Sequence, residues 1–457
     1  GERPDNGITV FQRFKNAWQE DNLLRGIIKN STLLFSGTTL SSILAFLQGL
    51  VVAASLGVES YGMWGVISAF VSNINRLLSF RMNEMVVRYG GKYLEEGETD
   101  KATGIIKAAG LLETATSVFA YLVLLIFSPQ LMRILKADYA PHQWIILFGL
   151  FILANFVAET AQAVLQLARN YKPQAIFNTL QNVIILVWVI LVALLNGTMF
   201  DVILAYLVGK SIYGLGMAYY GLRSLPGLLG DDWVKKPFTW VFRQKNIMTF
   251  LVSTNLSQTA TMIFRDSEPM WVNYFFGPGT AGLYKFANAV MGVVTQPITE
   301  LVQTRFSQVA RSIAQKAWSK TRTLLRRISY VALGITAAVA LGMALFGKWL
   351  LTLYNDGEYL AALPIAWILL IGYGFANIFF WNRSVLLAFG KPNYALMANL
   401  VGGGLKIALT FLLAKSAGPN IMPWMLDVYF IVSVGLIVRE GLRTLRRHEL
   451  AEPETVA

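Results

Sequence analysis

Apolar runs of about 20 residues or more follow one another along the chain, separated by short polar segments. A hydrocarbon layer about 30 Å thick needs about 20 apolar residues in a helix. The pattern predicts twelve spanning helices, at about 30–55, 61–86, 104–127, 142–168, 174–195, 201–222, 247–276, 280–305, 328–352, 362–388, 394–416 and 420–441. Gly, Pro, Asn and Ser interrupt many of them. That suits close-packed helices that bend, because neighbouring helices satisfy the freed backbone groups.

Two stretches read alike. ASLGVESYGMW (54–64) and YFFGPGTAGLY (274–284) share a large apolar residue, Gly, four residues, Gly, then an aliphatic and an aromatic. The offset is 220 positions, pairing Gly57 with Gly277 and Gly62 with Gly282. A second pair, LARNYKPQAIFNTL (167–180) and LAFGKPNYALMANL (387–400), recurs at nearly the same offset. Six spans per repeat return the chain to its starting side, so the halves have parallel orientation about an axis along the membrane normal. The Gly stretches are then equivalent external turns, with Gly57 and Gly277 expected as left-handed helix caps. The expected fold is an all-α membrane protein of two six-helix bundles related by an internal parallel repeat. The divisions are a cytoplasmic segment 1–29, bundles at 30–222 and 247–441, a cytoplasmic linker 223–246 and a tail 442–457. In the first segment, Phe11, Phe14 and Trp18 share one face of a possible interfacial helix.

Composition agrees with a lipid solvent. Apolar residues make up 55% of the chain and charged residues 14%, against about 25% charged in soluble domains. The chain has no cysteine and only two histidines, His142 and His448. No metal site and no catalytic residue is assigned, and no cofactor is expected beyond a coupling ion. Residues 1–28 are polar and mixed in charge, so no cleavable signal peptide is expected. The net charge of +13 is read as basic cytoplasmic loops, with no nucleic-acid partner. With the N-terminus inside, 29 of the 39 Lys and Arg fall in or beside cytoplasmic segments. Four are external: Arg133, Lys136, Lys348 and Lys415. Both termini are therefore expected in the cytoplasm.

The remaining six bases lie within spans: Arg76, Lys210, Arg265, Lys285, Arg383 and Lys406. A charge at such a depth costs about 2.5–3.5 kcal/mol on insertion scales and normally faces a partner or water. The acids at comparable positions are Glu84, Glu159, Asp266, Glu268, Glu300 and Asp427. MIFRDSEPMW (262–271) is the densest cluster. Arg265 and Glu268 are spaced to meet on one helical face, while Asp266 points about 100° away, and Pro269 loosens the backbone ladder. Such a segment reads either as a moving binding element or as a self-neutralising internal pair. Lys285 corresponds to Gly65 under the repeat and Arg76 to Gln296, so the symmetry is broken at both.

LGVESYGMWGVISAF (56–70), VVRYGGKYLEEGETDKA (86–102) and YFFGPGTAGLYKFANAV (274–290) resemble the polysaccharide-transporter, or oligosaccharide flippase, family. That family belongs to the superfamily of multidrug/oligosaccharidyl-lipid/polysaccharide exporters, with the multidrug and toxin extruders and the lipid II flippase. The resemblance implies a V-shaped pair of bundles around a cavity that opens alternately to the two sides, lined largely by spans 1, 2, 7 and 8. The implied cargo is a polyprenyl-diphosphate-linked oligosaccharide carried from the inner to the outer leaflet of the bacterial cytoplasmic membrane, for O-antigen, capsule or exopolysaccharide assembly. Membrane lipids, a polysaccharide polymerase and glycosyltransferases are the implied partners.

Arg76, Arg265 and Lys285 lie on expected lining spans and are the first candidates for the anionic headgroup, with Lys210 and Lys406 beside them. Arg can hold two phosphate oxygens and Lys adds a point charge. Lys210, Arg383 and Lys406 equally suit snorkelling or local pairing. Glu159, Asp266, Glu268, Glu300 and Asp427 are candidates for coupling to a proton or sodium gradient, or else fixed partners of nearby bases. An extruder of organic cations would instead need an acidic, aromatic cavity. A membrane-bound glycan polymerase, ligase or acyltransferase would need a large external loop, a loop-borne acidic motif or an intramembrane His.

Overall fold

The computed structural model describes residues 22–137 and 140–451 and, within them, all side chains except those at 22–38, 131, 257–258, 293–308, 310–311, 314 and 392. The expected interfacial face of Phe11, Phe14 and Trp18 lies outside these residues. Every regular element among the described residues is helical. The first half holds α1 (Asn22–Leu78), α2 (Met82–Met85), α3 (Gly91–Glu95), α4 (Thr99–Ile134), α5 (His142–Ala154), α6 (Ala158–Leu167), α7 (Lys172–Leu194) and α8 (Met199–Leu229). The second holds α9 (Lys245–Thr261), α10 (Glu268–Ala314), α11 (Trp318–Gly342), α12 (Lys348–Leu353), α13 (Ala362–Ile378), α14 (Asn382–Ala388), α15 (Pro392–Ala417) and α16 (Ile421–Ala451). The expected tail is thus helical up to Ala451.

Among the described residues nine helices are long and apolar enough to cross a membrane. Sequence periodicity predicts twelve spans. Part of the difference is that Thr39–Glu95 forms one continuous stretch although α1 breaks at Gly57 (φ 74°, ψ 171°). The chain folds back there. A Cβ on Gly49 would lie 3.3 Å from the Tyr61 hydroxyl, which a straight helix would carry about 18 Å along the axis. α10 breaks at Gly277 with nearly the same angles (φ 82°, ψ 177°). The expected left-handed φ is present at both glycines, but ψ is extended, a combination almost confined to Gly.

α1 and α10 form the most extensive helix pair, and Gly makes that possible. A Cβ on Gly62 would collide with the Pro278 carbonyl oxygen and approach the Gly282 nitrogen. A Cβ on Gly282 would collide with the Val58 oxygen and approach the Gly62 nitrogen. The contact is reciprocal under the 220-residue offset. Around it one apolar core draws on both halves, including Ile67, Phe70, Phe148, Val272, Tyr284 and Leu369.

Several predicted spans are broken. The one at 61–86 is interrupted after Leu78, and Arg81 takes a left-handed φ. The one at 142–168 splits into α5 and α6 around residues 155–157, where the Asn155 amide donates to the Phe151 and Lys210 carbonyls (2.8 and 3.1 Å). The one at 362–388 splits into α13 and α14 around residues 379–381.

Candidate functional site

The site grows from an irregular turn. After α9 the chain makes a π-helical turn over Met262–Asp266. The Ser267 amide and hydroxyl both donate to the Met262 carbonyl at 2.9 Å. Pro269 stands in the first turn of α10, where its missing N–H breaks no helical bond. Asn73 of α1 donates to the Ser267 hydroxyl at 3.0 Å, pinning this turn to the other half of the chain.

The π-turn changes the phase of the residues around it. Arg265 and Glu268, spaced to pair on a regular helix, do not pair. Arg265 instead donates through Nε to Asp266 Oδ1 at 2.8 Å. Arg76 of α1 donates through Nη1 to Asp266 Oδ2 at 2.6 Å. Asp266 therefore bridges two guanidiniums, one from each half, and the cluster keeps one net positive charge. The side chains of Arg76 and Arg265 are 56% and 43% exposed and that of Asp266 24%. Two arginines on an open surface with one shared acceptor retain unused N–H groups, the donor set that suits a phosphate.

Lys406 does not join this cluster. It is buried and gives its ammonium to Glu268 and the Phe264 carbonyl, and the lysine and glutamate side chains are 3% and 0% exposed. These two predicted site residues neutralise each other and tie α15 to the start of α10. Lys210 lies with its ammonium 5.2 Å from the Phe151 ring centre. Lys285 is held against Tyr61 and Trp64, at 4.6 and 5.2 Å from their ring centres.

The remaining acids are dispersed. Asp427 is buried, and its Oδ1 accepts from the Gly372 amide at 3.0 Å. Glu159 accepts from the Ser79 hydroxyl at 3.2 Å. Glu300 lies in α10 with its side chain outside the described residues. Sequence reasoning missed Glu113, a lone buried acid inside an apolar run. Its two oxygens accept from the Glu159 and Thr160 amides (2.8 and 2.9 Å) and from the Thr160 hydroxyl (2.7 Å). Glu113 thus caps α6 where the broken span leaves N–H groups without helical partners.

At the Gly57 end, a loop of the second half seals the contact. Tyr354 and Tyr359 donate to the Leu50 and Ala53 carbonyls at 2.5 and 2.9 Å. Glu358 accepts from the Val58 amide at 2.9 Å. On the facing side Asn273 donates to the Leu135 carbonyl at 3.1 Å. The Tyr and Glu side chains close on the two helix ends flanking Gly57, away from the Arg76 cluster at the opposite end of the same limb of α1.

The profile of the family described as "Polysaccharide biosynthesis protein" matches residues 27–306, more than half of the chain. The "Inner membrane protein YghQ" of Escherichia coli (strain K12) is 20% identical over 360 residues, covering 76% of this chain and 97% of that protein. The fold matches a multidrug resistance MATE family transporter of the MOP superfamily in an inward-facing conformation, with a TM-score of 0.71 at 12% identity, covering 90% of this chain and 96% of the other. It also matches the lipid II flippase MurJ in an inward closed conformation, with a TM-score of 0.63 at 14% identity, covering 92% and 93%.

Proposed function

The chain belongs to the polysaccharide biosynthesis protein family, and from that premise we propose that it carries a polyprenyl-diphosphate-linked oligosaccharide from the inner to the outer leaflet by alternating access. It is a multi-pass membrane protein with the MATE- and MurJ-like fold. In this reading two six-helix bundles, 30–222 and 247–441, rock about the α1–α10 contact, both termini are cytoplasmic and the Gly57 and Gly277 turns face outward. The saccharide head passes between the bundles and the lipid tail stays in the bilayer.

The observation that carries the reading is the Asp266 bridge between Arg76 and Arg265. It puts an open, net cationic cluster on the seam between the halves, at the end away from the Gly turns. A diphosphate reaching this seam can take the free guanidinium N–H groups and compete with Asp266 for the bonded ones. Arg76 and Arg265 are the substrate-binding residues proposed, with Lys285 reached later. Asp266 is the competing anion. Lys406 and Glu268, satisfied by each other, hold the helices together.

An ion gradient driving the cycle needs a carboxylate able to change partners. Asp427, Glu159 and Glu300 are the candidates, since Glu268 already holds Lys406. Asp427 keeps its second oxygen buried without a hydrogen-bond partner among the described residues.

Mass spectrometry of lipid co-purified with the protein tests the cargo. The expected result is a polyprenyl diphosphate glycan, and translocation of that lipid in reconstituted vesicles should then require Arg76 and Arg265. Purification with phospholipid alone, together with no movement of any polyprenyl-linked glycan, overturns the reading.

A further inference from the structure

At Lys285 the repeat meets itself with unlike residues across the seam. This lysine is on α10, three residues after the Gly282 crossing. Its counterpart under the 220-residue offset, Gly65, is directly opposite on α1. A Cβ on Gly65 would come within 2.8 Å of the Lys285 Cδ, so the lysine stem fills the notch left by the glycine. The ammonium is over the rings of Tyr61 (4.6 Å) and Trp64 (5.2 Å). It is buried and has no hydrogen-bond partner among the described residues. Cation–π contact offsets part of the cost of desolvation but gives an ammonium no acceptor.

The cage and the ammonium belong to different halves. Tyr61, Trp64 and Gly65 are all on α1. Trp64 packs there against Phe148 and Tyr206 of the same half, with ring centres at 5.0 and 4.7 Å, whereas Tyr61 also meets Tyr359 of the second half edge-on at 6.3 Å. The Tyr354, Glu358 and Tyr359 contacts close the same end of the seam. Parting α1 from α10 at this end must draw the lysine out of its notch.

We propose that Lys285 is a state-dependent anion-binding residue, stored in the Tyr61–Trp64–Gly65 cage while the outer side is closed and released into the passage when the outer side opens. The proposal rests on the reading of the chain as a carrier of an anionic headgroup. An anion held first by Arg76 and Arg265 would meet a second, newly freed charge only after the halves have parted on the outer side. That order favours outward passage. Gly65, which faces Lys285, and Arg76 are 11 residues apart on α1, so about 16 Å of helix separates the two stations.

The chain has no cysteine, so Lys285→Cys can be probed in the full protein, in right-side-out membrane vesicles, with a membrane-impermeant negatively charged thiosulfonate. Glu59→Cys, exposed beside the Gly57 turn, reports access of the reagent. The expected result is modification of Lys285→Cys at least tenfold slower than Glu59→Cys. Adding Tyr354→Phe and Tyr359→Phe, which removes both hydroxyl donors of the seal, should accelerate it at least tenfold. Equal rates at the two positions, or no acceleration in the triple variant, overturn the cage.

A second measurement does not depend on the Lys285→Cys substitution. Spin labels at Glu59→Cys and Asp356→Cys read the outer separation. Lys285→Met, which puts a neutral side chain in the cage and so favours the closed state, should lower the outer-open population, and Lys285→Arg, which keeps the charge, should not; no change with Lys285→Met overturns the proposal. Translocation by Lys285→Met as fast as by the unaltered protein also overturns it, leaving the proposed function intact. Absence of translocation in every form, with the labelling rates as expected, instead overturns the proposed function.

Discussion

Gly62 and Gly282 approach backbone to backbone at the crossing of α1 and α10, with no room for a Cβ on either. The colliding atoms are the Pro278 and Val58 carbonyl oxygens, which cannot move aside as side-chain ends can. Gly62→Ala and Gly282→Ala must therefore push the helices apart. Each should destabilise the protein by about 1–3 kcal/mol, the range for overpacked interiors. One separation relieves both collisions, so the double variant should lose less than the sum of the singles. Thermal unfolding of the two singles and the double in one detergent checks this, and unaltered melting in both singles would contradict the close crossing.

Arg76, Asp266 and Arg265 give predictions of opposite sign. Charge-assisted hydrogen bonds contribute about 1.5–3 kcal/mol, and each 1.4 kcal/mol is about tenfold in affinity. Arg76→Gln or Arg265→Gln should weaken binding of inorganic diphosphate about tenfold or more, with the pair abolishing translocation. Asp266→Asn removes the resident anion and should tighten diphosphate binding while loosening the link between the halves. Titration calorimetry separates these effects. Weaker binding by Asp266→Asn would show that the aspartate orients the arginines and does not compete for them.

Glu113 should behave as a cap. Glu113→Ala leaves the Glu159 and Thr160 amides without their carboxylate acceptor, at a cost of about 1–3 kcal/mol for each buried group left unmade. Glu113→Gln keeps one acceptor oxygen and should fall between Ala and the unaltered protein. The specific readout is hydrogen exchange at the Thr160 amide, which should accelerate in the same order. An effect on translocation alone, with unaltered exchange, would instead give Glu113 a transport role.

What the sequence made legible follows a physical divide. Gly57 and Gly277 were readable because helix reversals need residues without a Cβ, and the equal spacing marked them as a pair. The broken symmetry at Lys285 and Gly65 was readable from the same offset. The cage was not, because Tyr61 and Trp64 are indistinguishable in sequence from aromatics that pack any core. The spacing of a regular helix lets Arg265 meet Glu268, and the π-turn at Met262–Asp266 defeats that spacing. The offset of Asp266 from the Arg265 face is legible in the spacing, but Arg76 as its partner depends on tertiary placement across 190 residues. The Tyr354–Tyr359 seal is not legible in the sequence, because its bonds run to main-chain carbonyls, which carry no sequence signal.

Glu268 and Lys406 test whether a charge inside the membrane serves transport or architecture. Each is buried with the other as its partner, so removing one leaves an uncompensated ion. Lys406→Met alone, or Glu268→Leu alone, should destabilise the protein by about 3–5 kcal/mol, whereas replacing both with apolar residues is often neutral or stabilising. Lys406→Met with Glu268→Leu should therefore recover the melting temperature lost in either single. If the pair is a tie between α15 and α10, the recovered double variant also translocates lipid-linked glycan with its gradient dependence unchanged. A stable double variant that has lost that dependence would return Glu268 to the coupling machinery. A double variant as unstable as the singles would show that each ion has a more important partner than the other.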